Sequence, residues 1–176
     1  MKHIILIGFK HTGKSVVGRA LAEELGKSFI DLDEVVEELN EEKTGDKFNR
    51  RQIVQTHGLL RFRELEKEGL QKIMAQETEP CILSVGGGTP LFEENRELIR
   101  KHNVILVTAP RGIVFERIMI NGKPEFFSDD EEPVVCFKRI WEEREPIYKE
   151  LAQGTVENNG AIQDVVSEIR EMLNLK

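Results

Sequence analysis

His3-Ile4-Ile5-Leu6-Ile7, followed at once by Gly8-Phe9-Lys10-His11-Thr12-Gly13-Lys14-Ser15, is the stretch whose reading decides the fold. The short apolar run predicts a buried strand, and Val16, Ala20, Leu21 and Leu25 downstream recur at helical spacing. Between them, GxxxxGK[ST] is matched at every fixed position, in the strand-then-helix context that the motif requires. Glycines allow such a loop to wrap so that successive backbone N–H groups point inward at phosphate oxygens, and the helix N-terminus adds a favourable dipole. Gly8, His11, Thr12, Gly13, Lys14, Ser15 and Val16 are therefore candidate nucleotide-binding residues. Lys14 is expected to reach the β- and γ-phosphates of ATP, and the Ser15 hydroxyl to ligate a bridging Mg2+. The plain alternative is a glycine-rich turn without a ligand, but a chance match to four fixed positions arises on the order of once in a hundred chains of this size.

Working outward, further apolar runs at Ser28 to Leu32, Pro80 to Val85, Asn103 to Thr108 and, more weakly, Gly154 to Glu157 read as strands separated by helical segments. That alternation predicts an α/β fold: a five-stranded parallel sheet covered by helices on both faces, three layers in all. Ligands bind such sheets beyond the carboxyl ends of the strands. Three segments fall there: the cradle, Asp31 to Asp33, and Gly86 to Gly88. Residues 33–79 have room for two or three helices and no good strand, which suggests a helical flap for a substrate. Residues 120–133 are polar and rich in turn formers, so they read as a long loop or lid.

At the end of the second strand, period-2 geometry is expected to send the carboxylates of Asp31 and Asp33 to the same side, facing the cradle. One can hold a Mg2+ water while the other accepts a proton from a substrate hydroxyl. Helix capping by Asp33 is the competing explanation.

The 176 residues set a prior of one domain, residues 1–176, with no linker or internal repeat. A net charge of −7 argues against nucleic acid or an anionic membrane as the main partner. Cys81 and Cys136 show no CxxC spacing, which fits a reducing cytoplasm better than a disulfide scaffold or zinc site. His3, His11, His57 and His102 lack ligand spacing; of the four, His11 is unusual in lying within the cradle.

Three further stretches extend the pattern: Phe62-Arg63-Glu64-Leu65-Glu66, Leu83-Ser84-Val85-Gly86-Gly87-Gly88, and Arg144-Glu145-Pro146-Ile147-Tyr148. With the cradle and Asp31-x-Asp33, in this order, the chain resembles the shikimate kinase family, P-loop kinases of the nucleoside monophosphate kinase fold. The resemblance runs from the first strand through Ala152. It implies transfer of the ATP γ-phosphoryl to the 3-hydroxyl of shikimate, on the way to chorismate and the aromatic amino acids; the expected partners are these small molecules, and the chain is expected to act as a monomer. By the same resemblance Asp33 contacts substrate hydroxyls and acts as base, Arg63 and Arg144 clamp the substrate carboxylate, and Gly86, Gly87 and Gly88 let the backbone approach the ring. Asp31 then joins Ser15 at the metal.

The plain readings are a surface ion pair for Arg63 with Glu66, a solvated helix face for Arg144, and a flexible turn for the three glycines. The chain departs from the family's pattern in several places. His11 replaces a loop glycine, Leu59 stands where the family has glutamate, and Ser84 stands where many P-loop proteins place an aspartate. The lid carries Lys123-Pro124-Glu125-Phe126-Phe127 instead of an arginine followed by Pro-Leu-Leu, with Asp129 to Glu132 close behind. Lys123 is the candidate replacement for that arginine, provided that the acidic run points away from the phosphates. Arg117 is expected to stack on adenine or touch phosphate. A gluconate kinase and a weakly catalytic nucleotide-binding homologue are the alternatives.

Overall fold

The computed structural model describes residues 2–75, 79–124 and 127–175. Five strands, β1 (Ile4–Ile7), β2 (Phe29–Asp31), β3 (Ile82–Ser84), β4 (Asn103–Thr108) and β5 (Gly154–Glu157), pair in parallel in the order β2-β3-β1-β4-β5. Strand alternation sorts the central residues into two cores. Ile5 and Ile7 face one side with Leu83 and Leu106, while Ile4 and Leu6 face the other with Ile82, Ile105, Val107 and Val156. Burial on both faces is why these runs read as continuously apolar.

Helices α1 (Lys14–Leu25) and, at the C-terminal end, α7 (Ile162–Met172) cover the second face through Val17, Leu21, Val165, Val166 and Ile169. Of the expected apolar stripe of α1, Leu21 is fully buried and Ala20 and Leu25 pack against the core, but Val16 is 58% exposed and Val17 is buried in its place. Opposite them lie α2 (Leu32–Thr44), α3 (Arg50–Ala75), α4 (Glu93–Ile99), α5 (Arg111–Ile120) and α6 (Pro133–Leu151). The fold class is the three-layer α/β arrangement that the alternation of runs predicts, and no helix among the described residues is long and apolar enough to cross a membrane.

Two departures from plain alternation matter for the site. The helical segment is α2 packed on α3, and α3 breaks at Gly58, whose φ of +83° lies in the left-handed region that favours glycine. The break lets one continuous segment both start near Asp33 and carry Arg63 back over the sheet. Between α5 and α6 the described part of the lid forms no helix or strand, and Pro133 starts α6 at a position where a missing N–H costs nothing. Gln76 to Thr78 of the helical segment and Glu125 and Phe126 of the lid lie outside the described residues.

Candidate active site

Gly8 leaves β1 with φ +143°, and a Cβ there would sit 2.2 Å from the Val107 carbonyl oxygen. Glycine is thus what lets the loop turn off the sheet so close to β4. Within the loop the Thr12 hydroxyl donates to the Phe9 carbonyl at 3.0 Å, so this side chain closes the loop on itself. The Asn158 amide at the end of β5 donates to the Thr12 carbonyl at 2.9 Å and ties the loop to the far strands. Lys14 is buried, and its ammonium donates to the Gly8 and Phe9 carbonyls at 3.1 and 2.8 Å. Burial lowers its pKa to about 8, opposed by the nearby carboxylates of Asp33 and Asp31.

His11 adopts φ +64°, a conformation that a glycine would take without strain. Burial, then the positive charges of Lys10, Lys14, Arg50 and Arg117, push its pKa down to about 4. The imidazole is accordingly neutral near pH 7 and brings no charge to the cradle. Arg117 donates from Nη1 to the His11 carbonyl at 3.1 Å, so it braces the loop from outside.

The two aspartates meet at the cradle by a different route from strand alternation. Asp31 ends β2 and caps α2, accepting the Asp33 N–H at Oδ1 (3.1 Å), while Asp33 already lies in the first helical turn. Capping is therefore the work of Asp31, not of Asp33. The Ser15 hydroxyl donates to Asp31 Oδ2 at 2.6 Å, and the Ser84 hydroxyl stands 3.4 Å from it. These oxygens border a cavity of about 350 Å3 together with Gly13, Lys14 and Val16. Asp33 Oδ2 accepts from Arg50 at 3.3 Å, whereas its Oδ1 is buried and has no hydrogen-bond partner. Burial raises the Asp33 pKa, and Arg50 is the largest opposing influence. The absence of a Cβ at Gly86 leaves room at Oδ1, since one would lie 3.2 Å from it.

A second cavity, about 140 Å3, adjoins the first and is bounded by Asp33, Arg63, Arg144 and Gly86 to Gly88. Arg63 forms an ion pair with Glu66, which is fully buried and also accepts from the Thr89 hydroxyl at 2.6 Å. The reading of Arg63 and Glu66 as a surface pair is thereby overturned. A Cβ on Gly88 would fall 2.2 Å from Arg63 Nη2, so glycine makes the space that the guanidinium fills. Arg144 lies over the Phe9 ring at 5.4 Å rather than along a solvated helix face. One turn on, Tyr148 donates to the Gly87 carbonyl, and burial pushes its pKa up to about 12, which keeps it a donor.

On the lid side, Lys123 reaches a third cavity shared with His11, Asp33 and Arg50. Its ammonium is paired with Asp129 at 2.5 Å, and the Asp129 side chain is 95% exposed. Glu131 is held by Arg139 at 2.8 Å. Reading the sequence passed over Arg50, the buried role of Glu66, and Asn158. Asn158 had a signal, because it follows the fifth strand at the same carboxyl edge as the other loops.

The family model for shikimate kinase matches residues 11–174. The chain is 35% identical over 175 residues to the shikimate kinase of Francisella tularensis subsp. holarctica, covering 98% of this chain and 94% of that one. Its backbone superposes on the structure of shikimate kinase from Acinetobacter baumannii in complex with shikimate with a TM-score of 0.83 and 29% identity, over 100% of this chain and 95% of that one. A gluconokinase from Sinorhizobium meliloti aligns with a TM-score of 0.54 at 15% identity, over 98% of this chain and 91% of that one, a likeness of fold alone.

Proposed function

This chain belongs to the shikimate kinase family and is an ATP-dependent small-molecule kinase; from that premise we propose that it transfers the γ-phosphoryl group of ATP to the 3-hydroxyl of shikimate. The observation that carries this reading is one cavity with two guanidinium groups, Arg63 and Arg144, and the unpartnered Oδ1 of Asp33 on its walls. A planar guanidinium fork matches a carboxylate, so an acid anchored there presents a hydroxyl to Asp33. That cavity opens on the one that holds Lys14 and Ser15, where the ATP phosphates belong.

In the step itself the acceptor oxygen bonds to the γ-phosphorus as the bond to the β,γ-bridging oxygen breaks. ADP departs with that electron pair, and the hydroxyl proton passes to Asp33. Lys14 exchanges its loop carbonyls for β- and γ-phosphate oxygens, and Gly8, His11, Thr12, Gly13 and Ser15 offer backbone N–H groups. Arg117 adds positive charge at the mouth, where the charge of Lys123 is offset by Asp129. Ser15 Oγ and Asp31 Oδ2 are hard oxygen donors suited to Mg2+, with Ser84 placed to orient a water. Bound there, Mg2+ would offset the negative charge of the phosphates.

The test is an ADP-release assay with shikimate, gluconate, and a shikimate analogue lacking the carboxylate. Turnover of shikimate alone is expected. Preference for gluconate, or nucleotide binding without turnover of either acid, would overturn the reading.

A further inference from the structure

The phosphoryl group crosses where the phosphate cavity meets the acceptor cavity. Five residues border both: Lys10, Asp33, Arg50, Gly86 and Gly87. Lys10, Asp33 and Arg50 also border the lid cavity, so Arg50 stands beside Asp33 at the meeting point of all three. We propose that Arg50 is a catalytic residue, a guanidinium held beside Asp33 that contacts the γ-phosphoryl oxygens during transfer. This rests on the kinase reading above and assigns this chain's phosphoryl-stabilising cation to α3 rather than to the lid.

Three observations support it. First, Arg50 is rigidly placed. Asn49 and Gln52 exchange reciprocal hydrogen bonds at 3.0 Å, a capping box that fixes the start of α3. The Arg50 N–H donates to Glu37 Oε1 at 2.8 Å, which pins that start to α2. Second, Arg50 donates through Nη1 to Asp33 Oδ2 at 3.3 Å. The planar fork is thereby set next to the group that takes the acceptor proton, where a second edge can meet a trigonal phosphoryl group. Third, the cations on the lid side are engaged elsewhere, Lys123 with Asp129 and Arg117 with the His11 carbonyl, and Lys10, which also borders the junction, offers a compact ammonium rather than a planar fork. Charge builds on the equatorial oxygens as the γ-phosphorus passes between bridging and acceptor oxygens, and a preorganised donor there acts mainly on the rate.

The experiment compares wild type with Arg50→Gln and Arg50→Lys in shikimate turnover, in ADP affinity, and in affinity for ADP with aluminium fluoride, a mimic of the planar phosphoryl group, with and without acceptor. For Arg50→Gln, kcat is expected to fall on the order of 100-fold or more, while KM for ATP and for shikimate each move less than about threefold. Affinity for ADP with aluminium fluoride falls alongside kcat, ADP alone binds as before, and Arg50→Lys recovers part of the loss. An unchanged or raised kcat, a loss confined to the acceptor KM, a retained aluminium fluoride effect, or lost ADP binding with a lowered Tm would each overturn the proposal. The aluminium fluoride comparison needs no acceptor. Wild type without shikimate turnover therefore breaks the reading of the acceptor, while Arg50 is still decided by whether its replacement abolishes that effect.

Discussion

The cradle and the lid face each other across one cavity, yet they are built on opposite principles. The cradle hangs between the buried strand β1 and helix α1, and its backbone is locked by Thr12, Asn158 and Lys14. The lid spans residues 120–133 at the surface, and its one cation toward the site is drawn to an exposed aspartate. A wall whose shape follows from strand burial and glycine geometry is pre-organised. A wall held by exposed ion pairs is worth about 1 kcal/mol or less per pair and is easily rearranged. The contrast predicts large effects from the cradle and small ones from the lid.

The largest effect is expected at Lys14. Lys14→Ala removes the ammonium that the cradle surrounds, and turnover should fall by about 1000-fold or more, by analogy with other cations that stabilise phosphoryl transfer. Stabilisation of the fold by ADP in thermal melts should shrink with it. Retained turnover would break the claim that the cradle dominates.

Next come the two arginines of the acceptor cavity, which the structure makes unequal. Arg63→Ala and Arg144→Ala should each weaken shikimate by roughly 2 to 5 kcal/mol, read as a rise in acceptor KM with ATP unaffected. Arg63→Ala leaves a fully buried carboxylate, Glu66, without its ion partner, so this variant should also melt at lower temperature. If an analogue without the carboxylate is weakened equally, the arginines do not read that group.

The lid supplies a smaller effect. Lys123→Ala should lower kcat by less than about tenfold, because Asp129 already compensates its charge and the pair is exposed. Asp129→Asn sharpens the point, since it releases the ammonium. A raised rate in steady-state turnover would mean that Lys123 then reaches the phosphates, and an unchanged rate that the lid cation is a bystander.

The same contrast explains what was legible in the sequence. Burial on both faces sets the runs of β1, β3 and β4, so these strands and the cradle could be placed from residue types alone, while the edge strand β2 is only half-buried. Asp31 and Asp33 were correctly brought to the crevice, but by strand alternation, whereas the chain has already turned helical at Leu32. A helix start at a strand end depends on a cap, and Asp31 and Asp33 are equally good candidates on composition. Arg63 and Glu66 are spaced like a surface pair, and it is tertiary packing, with the Thr89 hydroxyl on the carboxylate, that buries Glu66. Arg50 carried no signal, because its partner Asp33 is 17 positions away and the meeting depends on how α3 crosses α2.

His11 tests the cradle where it departs from its own logic. A non-glycine residue at φ +64° carries local strain, and the imidazole Nε2 is buried without a hydrogen-bond partner. His11→Gly relieves that strain but gives the unfolded chain more freedom, so the two effects partly cancel and a net stabilisation below about 1 kcal/mol is expected at pH 7. Acidification should enlarge the difference. The folded pKa of about 4 lies below the ordinary value of 6.5, so between these values the unfolded chain binds a proton that the native imidazole refuses. Stability from this residue is present above pH 6.5 and lost as the pH falls toward 4. Denaturant unfolding of wild type and His11→Gly at pH 7 and pH 4.5 checks this, because every other titrating group is common to both proteins. A gap that widens at the lower pH supports a neutral histidine built into the cradle. A gap independent of pH would mean that His11 titrates normally, and that the cradle tolerates a cation at the position where the family's pattern has glycine.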